Sequence, residues 1–198
     1  KMNTRNHHYF VEPITYGETK DLILNVHYAK RMPSISYAFG LYRDLDGLQG
    51  ICTFGSPASP WLCKGVCGEE HKSNVLELNR VVLVNNRPNE ASLLVARSIA
   101  LLPKPKILVS YADTAQDHVG YVYQATNWLY TGATKPRTDI ATVNGKHPRH
   151  HAGDRTKRVY RSSKHRYVYM HGDKKDKRLL TKCLRYGTEP YPKKENTD

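Results

Sequence analysis

VLELNRVVLVNNRPNEASLLVARSIALLPKPKILVSYADTAQDHVGYVYQATNWLYTG, residues 75–132, is the stretch whose reading decides the fold. Its first ten residues, 75–84, are mostly apolar and rich in valine, which predicts a strand. Residues 88–102 then read as a helix: Pro88 suits a first helical position, and Pro103 and Pro105 close it. KILVSYA, 106–112, has a short buried-strand pattern; 113–117 is a polar turn and 118–130 a second helix. Strands linked by helices of this length predict a βαβα unit with parallel strands covered by helices. Ligands of such sheets sit at the carboxyl ends of the strands. Asp113 and the helix starts are therefore where chemistry is expected.

Working outward, residues 1–20 show no periodicity and read as a loosely attached lead-in. Residues 21–30 suggest a short amphipathic helix ended by Pro33. Residues 36–42 and 49–54 are β-rich, and Asp46-Gly47 between them is a hairpin signal. The stretch 55–70, rich in Gly, Pro, Ser and Cys, reads as a long loop. Beyond Gly132, 133–156 is irregular, 158–162 and 166–171 resemble strands, and 172–177 is a charged turn. Residues 178–186 fit a short strand or helix, and the tail from Glu189 reads as flexible. The order predicts a single α/β domain with a mixed β-sheet flanked by helices. Its core would be 21–132, and 133–198 its basic C-terminal part.

Charge is unevenly placed. The chain carries +13, and residues 135–185 hold 16 Lys+Arg against 4 Asp+Glu, whereas the remainder holds 15 against 14. That asymmetry is an electrostatic footprint for a polyanion. Tyr160, Tyr167, Val168 and Tyr169 interleave with the charges, which favours a folded basic surface over a frayed tail. No run of about 18 apolar residues occurs, so no membrane-spanning helix is expected. The N-terminal residues lack the apolar core of a signal peptide, and four cysteines are too few for a disulfide scaffold. Reduced thiols in a cytosol are expected.

Longer words carry a family resemblance. VHYAKRMPSISYAFGLY (26–42), ICTFGSP (51–57), LELNRVVL (76–83), SYADTAQDHVGYVYQATNWLYTG (110–132) and KHRYVYMHG (164–172) resemble the Mom family of phage DNA-modification proteins. The element order resembles the GNAT acyltransferase fold. These resemblances imply a GNAT-like transferase acting on adenine in double-stranded DNA, in the cytoplasm of an infected bacterial host. The implied product is N6-(carbamoylmethyl)adenine, which protects phage DNA from restriction. They also imply acetyl-CoA as donor and an iron requirement. The chemistry of the product adds a second donor. A glycyl unit supplies its two carbons and one nitrogen at the right oxidation level, whereas acetyl-CoA supplies no nitrogen. Glycyl-tRNA is thus slightly favoured, and the basic segment would suit tRNA as well as DNA.

The resemblance also places residues. The first strand and following helix would hold the donor, which points to Arg80, Val82, Val84 and Arg87. CoA-dependent relatives place a glycine-rich loop there to bind pyrophosphate at the helix N-terminus. Residues 84–91 read VNNRPNEA, without glycine. Tyr123 falls where a leaving-group acid is expected; a phenol with pKa about 10 can serve, and the alternative is a core tyrosine. Asp113 would orient or deprotonate the adenine amine, or else cap a turn beside Thr114. Ser98 is implied to matter for activity, against a hydroxyl satisfied by the preceding turn. His27 and Tyr28 are the best candidates for a catalytic or metal role. Arg80 reads either as a buried ion pair with Glu77 or as an anion ligand.

Lys157, Arg158, Arg161, Lys164 and Arg166 are the expected DNA-binding cations, with His147, His150 and His151 on a neighbouring loop. Cys63-x3-Cys67-x3-His71, with Cys183 as a distant fourth ligand, does not have usual zinc spacing, and Gly65 and Gly68 argue against a helix there. Two other readings stay open: a non-enzymatic DNA-binding protein, and an acyltransferase acting on a protein or small amine.

Overall fold

The computed structural model of the protein describes residues 8–27, 30–140 and 156–194. Seven strands form one sheet in the order β1-β2-β3-β4-β5-β9-β6. They are β1 (Tyr9–Pro13), β2 (Tyr37–Arg43), β3 (Gly47–Gly55), β4 (Val75–Leu83), β5 (Lys106–Asp113), β6 (Leu129–Ala133) and β9 (Lys164–His171). β7 (Arg137–Ile140) and β8 (Arg158–Arg161) pair separately as an arm. Among the described residues only β4 and β5 run parallel, and the other pairings are antiparallel. The sheet is mixed and flanked by helices, as expected.

Helix α3 (Glu90–Leu101) lays Leu94, Val95 and Ile99 on one face, against Phe39, Leu41, Cys52, Phe54, Leu76 and Leu78. Helices α2 (Pro60–Cys67) and α5 (Lys174–Cys183) cover the other face, burying Val66, Cys67 and Leu180 against Val75, Ile107, Val109, Val168 and Met170. Ile23 adds a smaller cluster on that side with Ile51 and Val82.

Several expected elements differ. The lead-in is structured: β1 pairs with β2, and Thr15 and Glu18 form a capping box that starts α1 (Tyr16–Asp21), extended by a π turn (Leu22–Val26). The helix thus begins before residue 21. The expected loop 55–70 contains α2. Gly65 sits inside it, and Gly68, at φ +97°, ends it rather than preventing it. The expected helix 118–130 shrinks to α4 (Tyr121–Ala125). Asn127 takes a left-handed φ of +62°, and the chain leaves as β6 to pair with β9, so tertiary pairing overrides local helical preference. Residues 174–183 are helical, capped by Asp173 and Asp176. The tail is held as far as residue 192: Glu189 N–H donates to the Tyr130 carbonyl, Tyr191 Oη–H to that of Trp128, and Gln124 to that of Pro192.

Candidate active site

The sheet opens where β4 and β5 part. Their pairing stops at Glu77 and Val109, although β4 continues to Leu83 and β5 to Asp113. The break has a local cause on β4. Thr53 pairs with Arg80 but Phe54 with Leu78, so Asn79 is the extra residue of a bulge. Beyond it the alternation of side chains shifts by one. Leu76, Leu78, Val81 and Leu83 pack toward α3, while Val75 and Val82 lie in the clusters of the opposite face. Glu77 and Arg80 share that opposite face by the same alternation. The sequence predicted a strand here but no bulge, and the bulge decides which side each polar group serves.

On the α3 and α4 side, the opening is bridged by hydroxyls. Ser110 Oγ lies 2.8 Å from the Leu78 carbonyl oxygen and 2.7 Å from Tyr123 Oη. A carbonyl only accepts, so Ser110 donates to Leu78 and Tyr123 donates to Ser110. Tyr123 is buried and packs on Trp128 and Tyr167 at 5.2 and 5.1 Å. Gly120, at φ +81°, starts α4 beneath the Tyr167 ring; a Cβ there would come within 2.5 Å of it. Beside Tyr123's helix runs a groove of about 510 Å³, lined by Ser92, Leu93 and Ala96 of α3, Thr126 and Asn127 after α4, and Tyr169.

On the opposite side sit Glu77, Arg80, His27 and Tyr111. Arg80 donates to the carbonyls of Asn79 (2.6 Å) and Arg31 (2.9 Å). It makes no close ion pair with Glu77 among the described residues. Burial lowers the pKa of His27 to about 4, with the neighbouring Arg80 cation adding to the effect, so His27 is a neutral imidazole at physiological pH. Burial likewise raises the Tyr111 phenol, helped by Glu77.

The other expected residues are dispersed. Asp113 ends β5 and caps the turn after it, accepting from Ala115 N–H at 3.0 Å and Ser162 Oγ–H at 2.7 Å, with Lys164 at 3.8 Å. Burial works against its ionisation, but these contacts outweigh that and hold its pKa below the ordinary value. Ser98 is fully buried beneath α3, its hydroxyl beside the Cys52 thiol without a partner in good hydrogen-bonding geometry. Tyr28 lies outside the described residues.

Two of the expected donor ligands are placed unfavourably. Val84 N–H donates to Gln49 on β3, so by antiparallel alternation the N–H of Val82 also faces β3. Val81 and Leu83 are the residues whose amides face the opening. Arg87 is engaged by Glu90 (3.3 Å) and by Gln49 Oε1 (2.6 Å). The fully buried Glu90 carboxylate also accepts from Arg87 N–H and Tyr9 Oη–H at the head of α3, where a pyrophosphate would otherwise dock.

Of the expected DNA-binding cations, Lys157 and Arg158 are exposed at the arm, Arg161 reaches Asp139 at 3.5 Å, and Lys164 pairs with Asp113. Arg166 is half-buried: its guanidinium donates to Thr131 and stacks 3.5 Å from the Tyr186 ring centre. His147, His150 and His151 lie outside the described residues. Among the described residues no group of three His, Cys, Asp or Glu side chains converges as a metal site. The described residues around His27 therefore do not fit an iron centre. Cys63 and Cys67 share α2, and Cys67 donates to the Leu180 carbonyl; burial pushes its thiol up to about 11, so it packs as a thiol. No described helix is long and apolar enough to cross a membrane.

The model of the Mom protein family matches residues 8–193. The chain belongs to the Mom protein family. One family relative, methylcarbamoylase Mom of Escherichia phage Mu, is 25% identical over 205 residues, spanning 92% of this chain and 83% of its own length. Among solved structures the chain is similar to a candidate phosphinothricin N-acetyltransferase, with a TM-score of 0.51 at 8% identity, covering 84% of this chain and 100% of that one. A chimeric spermidine N-acetyltransferase SpeG from Vibrio cholerae gives a TM-score of 0.50 at 10% identity, covering 82% of this chain and 95% of that one. The fold is that of the GNAT acetyltransferases.

The sequence reading missed Ser110 and Tyr111 as site residues and treated Glu77 only as an ion-pair partner. Glu77 did carry a signal: it is a lone carboxylate inside an apolar strand.

Proposed function

We propose that this protein transfers an activated two-carbon unit to the exocyclic N6 of adenine in double-stranded DNA, leading to N6-(carbamoylmethyl)adenine and protection from restriction. The supporting observation is membership of the Mom family over residues 8–193, in a chain whose sheet opens between β4 and β5 with an acid on one side and a carboxylate on the other. The phage Mu relative is named a methylcarbamoylase. The donor enters from the groove between α3 and α4, and Tyr123 protonates the leaving carrier. The amides of Val81 and Leu83 face the reacting carbonyl. Adenine N6 is paired in the duplex, so the base is flipped out and enters from the other side, past Arg80 and Tyr111. The β7–β8 arm, with Lys157, Arg158 and the exposed Tyr160, holds the phosphates.

For the donor we favour an activated glycine, carried as glycyl-tRNA, over acetyl-CoA. The Glu90 carboxylate at the head of α3 is the structural reason, because it opposes a pyrophosphate there. Acyl transfer gives N6-glycyladenine; its amine attacks C6, and opening of the five-membered ring leaves the carbamoylmethyl group without a redox step. No step is routed through iron. Purified protein with duplex DNA and either acetyl-CoA or glycyl-tRNA bearing ¹⁵N-glycine tests both parts by nucleoside mass spectrometry. Labelled product from glycyl-tRNA is expected. Product from acetyl-CoA alone overturns the donor, and DNA that stays unmodified with both donors and in expressing cells overturns the function.

A further inference from the structure

The β7–β8 arm has two unlike faces. Directly paired residues of an antiparallel ribbon project on the same side, and successive residues alternate. The pairs Arg137–Arg161 and Asp139–Val159 therefore share one face, and Thr138–Tyr160 and Ile140–Arg158 the other. The first face is closed on itself, because the Asp139 carboxylate lies 3.1 Å from Arg137 and 3.5 Å from Arg161. The second face has no carboxylate among these four residues. It presents the Arg158 cation and the Tyr160 ring, which is 70% exposed. A single exposed aromatic is ordinary on a protein surface. This one stands beside an arginine on a two-stranded ribbon, within a segment of 16 Lys+Arg against 4 Asp+Glu, where a polyanion would meet it. The arm is rooted at the carboxyl end of β5, on the rim of the opening. Ser162 Oγ–H donates to Asp113 at 2.7 Å and Thr114 Oγ–H to the Ser163 carbonyl at 2.7 Å. Across the base of the arm, Thr134 N–H donates to the Lys164 carbonyl and Lys164 N–H to Thr134 Oγ. Tyr160 stands two residues from Ser162, about 7 Å along the strand.

We infer that the Tyr160 ring enters the base stack of duplex DNA and fills the place that the target adenine vacates. The inference rests on the transferase reading above, which requires that adenine to leave the helix. A two-stranded ribbon fits the major groove of B-DNA, so the arm can lie in it with one face turned to the bases. That face is the one with Tyr160. Turned the other way, the ribbon would bring the Asp139 carboxylate against the DNA's own negative charge. Arg158, two residues from Tyr160 on the same face, holds the backbone beside the gap. Flipping a base out costs its pairing and stacking. A side chain inserted between base steps wedges the stack open, and an aromatic one restores part of the lost stacking. It also blocks the adenine's return. Stacking tolerates any flanking sequence, because every base has a π-face. The ring is therefore the part required, and the hydroxyl is dispensable.

The test compares the full chain with Tyr160→Ala, Tyr160→Phe and Arg158→Ala, on duplexes holding an adenine that wild type modifies. In one duplex that adenine faces thymine. In the other it faces an abasic site, where leaving the helix costs less. Single-turnover modification, DNA affinity against salt and thermal unfolding are measured. Tyr160→Ala should be about 10–100-fold slower than wild type on the paired duplex, and about as fast as wild type on the abasic one. Its melting temperature and salt slope should match wild type, because an exposed ring neutralises no phosphate. Arg158→Ala should instead reduce the slope by about 0.9 and be helped no more than wild type by the abasic site. Tyr160→Phe should keep the rate. With 2-aminopurine in place of the target adenine and no donor present, fluorescence should rise on binding wild type and stay low with Tyr160→Ala. Wild-type rate in Tyr160→Ala on the paired duplex, or an equal loss on both duplexes, overturns the inference and leaves the transferase reading standing. An equal rise in 2-aminopurine fluorescence with Tyr160→Ala overturns it as well. A wild type that binds DNA and never modifies adenine overturns both.

Discussion

Ser110 is the residue whose removal separates the architecture of the opening from its chemistry. It sits between two buried groups, the Leu78 carbonyl and the Tyr123 phenol. Ser110→Ala takes a hydrogen-bond partner from both and leaves the Leu78 carbonyl without its side-chain donor. Leaving a buried polar group unsatisfied costs about 1–3 kcal/mol, so the variant should lose about 1–3 kcal/mol of stability. Tyr123→Phe removes one bond but leaves Ser110 still donating to Leu78, and should cost only about 0.5–1.5 kcal/mol. In the double variant only the carbonyl remains unpaired. The two changes should therefore be non-additive, with the pair costing less than the sum. Activity should follow the opposite order. Tyr123→Phe removes the proposed leaving-group acid and should lose about 10²–10⁴-fold. Ser110→Ala keeps the acid and should lose less. Urea unfolding of the four proteins, with modification rates measured below their transitions, reads both axes. A Ser110→Ala cost below that of Tyr123→Phe, or strict additivity, would refute the bridged arrangement. Full activity in Tyr123→Phe would refute the acid.

The remaining expectations concern regions outside the bridge. Lys157→Ala with Arg158→Ala should weaken DNA binding without changing the melting temperature, and should reduce the slope of log affinity against log salt by about 0.9 for each phosphate no longer neutralised; an unchanged slope in a binding titration would exclude the arm. Asp113→Asn keeps an oxygen acceptor for Ala115 and Ser162 and should fold normally, whereas Asp113→Ala should cost about 0.5–2 kcal/mol as a lost cap. The depressed Asp113 pKa contributes stability above the ordinary aspartate value, lost as pH falls through the folded value. If calorimetry shows Asp113→Asn as unstable as Asp113→Ala, the cap is not what holds it. His27 works the same way with the opposite charge. The unfolded chain binds its proton first, so stability due to His27 is present above about pH 6.5 and declines toward about 4, and His27→Asn should flatten that part of the urea-midpoint profile. Truncation after residue 188 should lower the melting temperature, because it removes the bonds to Tyr130, Trp128 and Gln124.

Strand β4, helix α3 and strand β5 were legible because each has its own signal. The apolar run marks β4, and the prolines around 88–105 bracket α3. What local pattern could not show was what each piece would meet. HVGYVYQATNWLY has helical content throughout, but Leu129 and Tyr130 are claimed by Val168 and Tyr167 of β9, almost forty residues further along the chain. The lead-in differs: its helix is announced by the capping box Thr15-x-x-Glu18 and by no hydrophobic period. The loop 55–70 failed because Gly65 was weighed by its propensity, about 1 kcal/mol against a helix. The buried Val66 and Cys67 outweigh that.

The candidate site was legible by residue type and illegible by side. Tyr123, Arg80, His27 and Asp113 were marked from the words they occur in, yet nothing in those words says which face of the sheet each would serve. That depends on parity, and parity along β4 depends on the single extra residue Asn79. Without the bulge, Arg80 would turn with Leu76 and Leu78 toward α3, putting a guanidinium into the apolar layer under Leu94 and Val95. With it, Arg80 and Glu77 look out on the same side. Asn79 is fixed there by Thr53 Oγ–H, which donates to it at 2.6 Å, and by its own amide, which donates to the Ser34 carbonyl at 2.7 Å. One inserted residue, anchored twice, therefore turns Arg80 to the same face as Glu77 and leaves the α3 face to Ser110 and Tyr123.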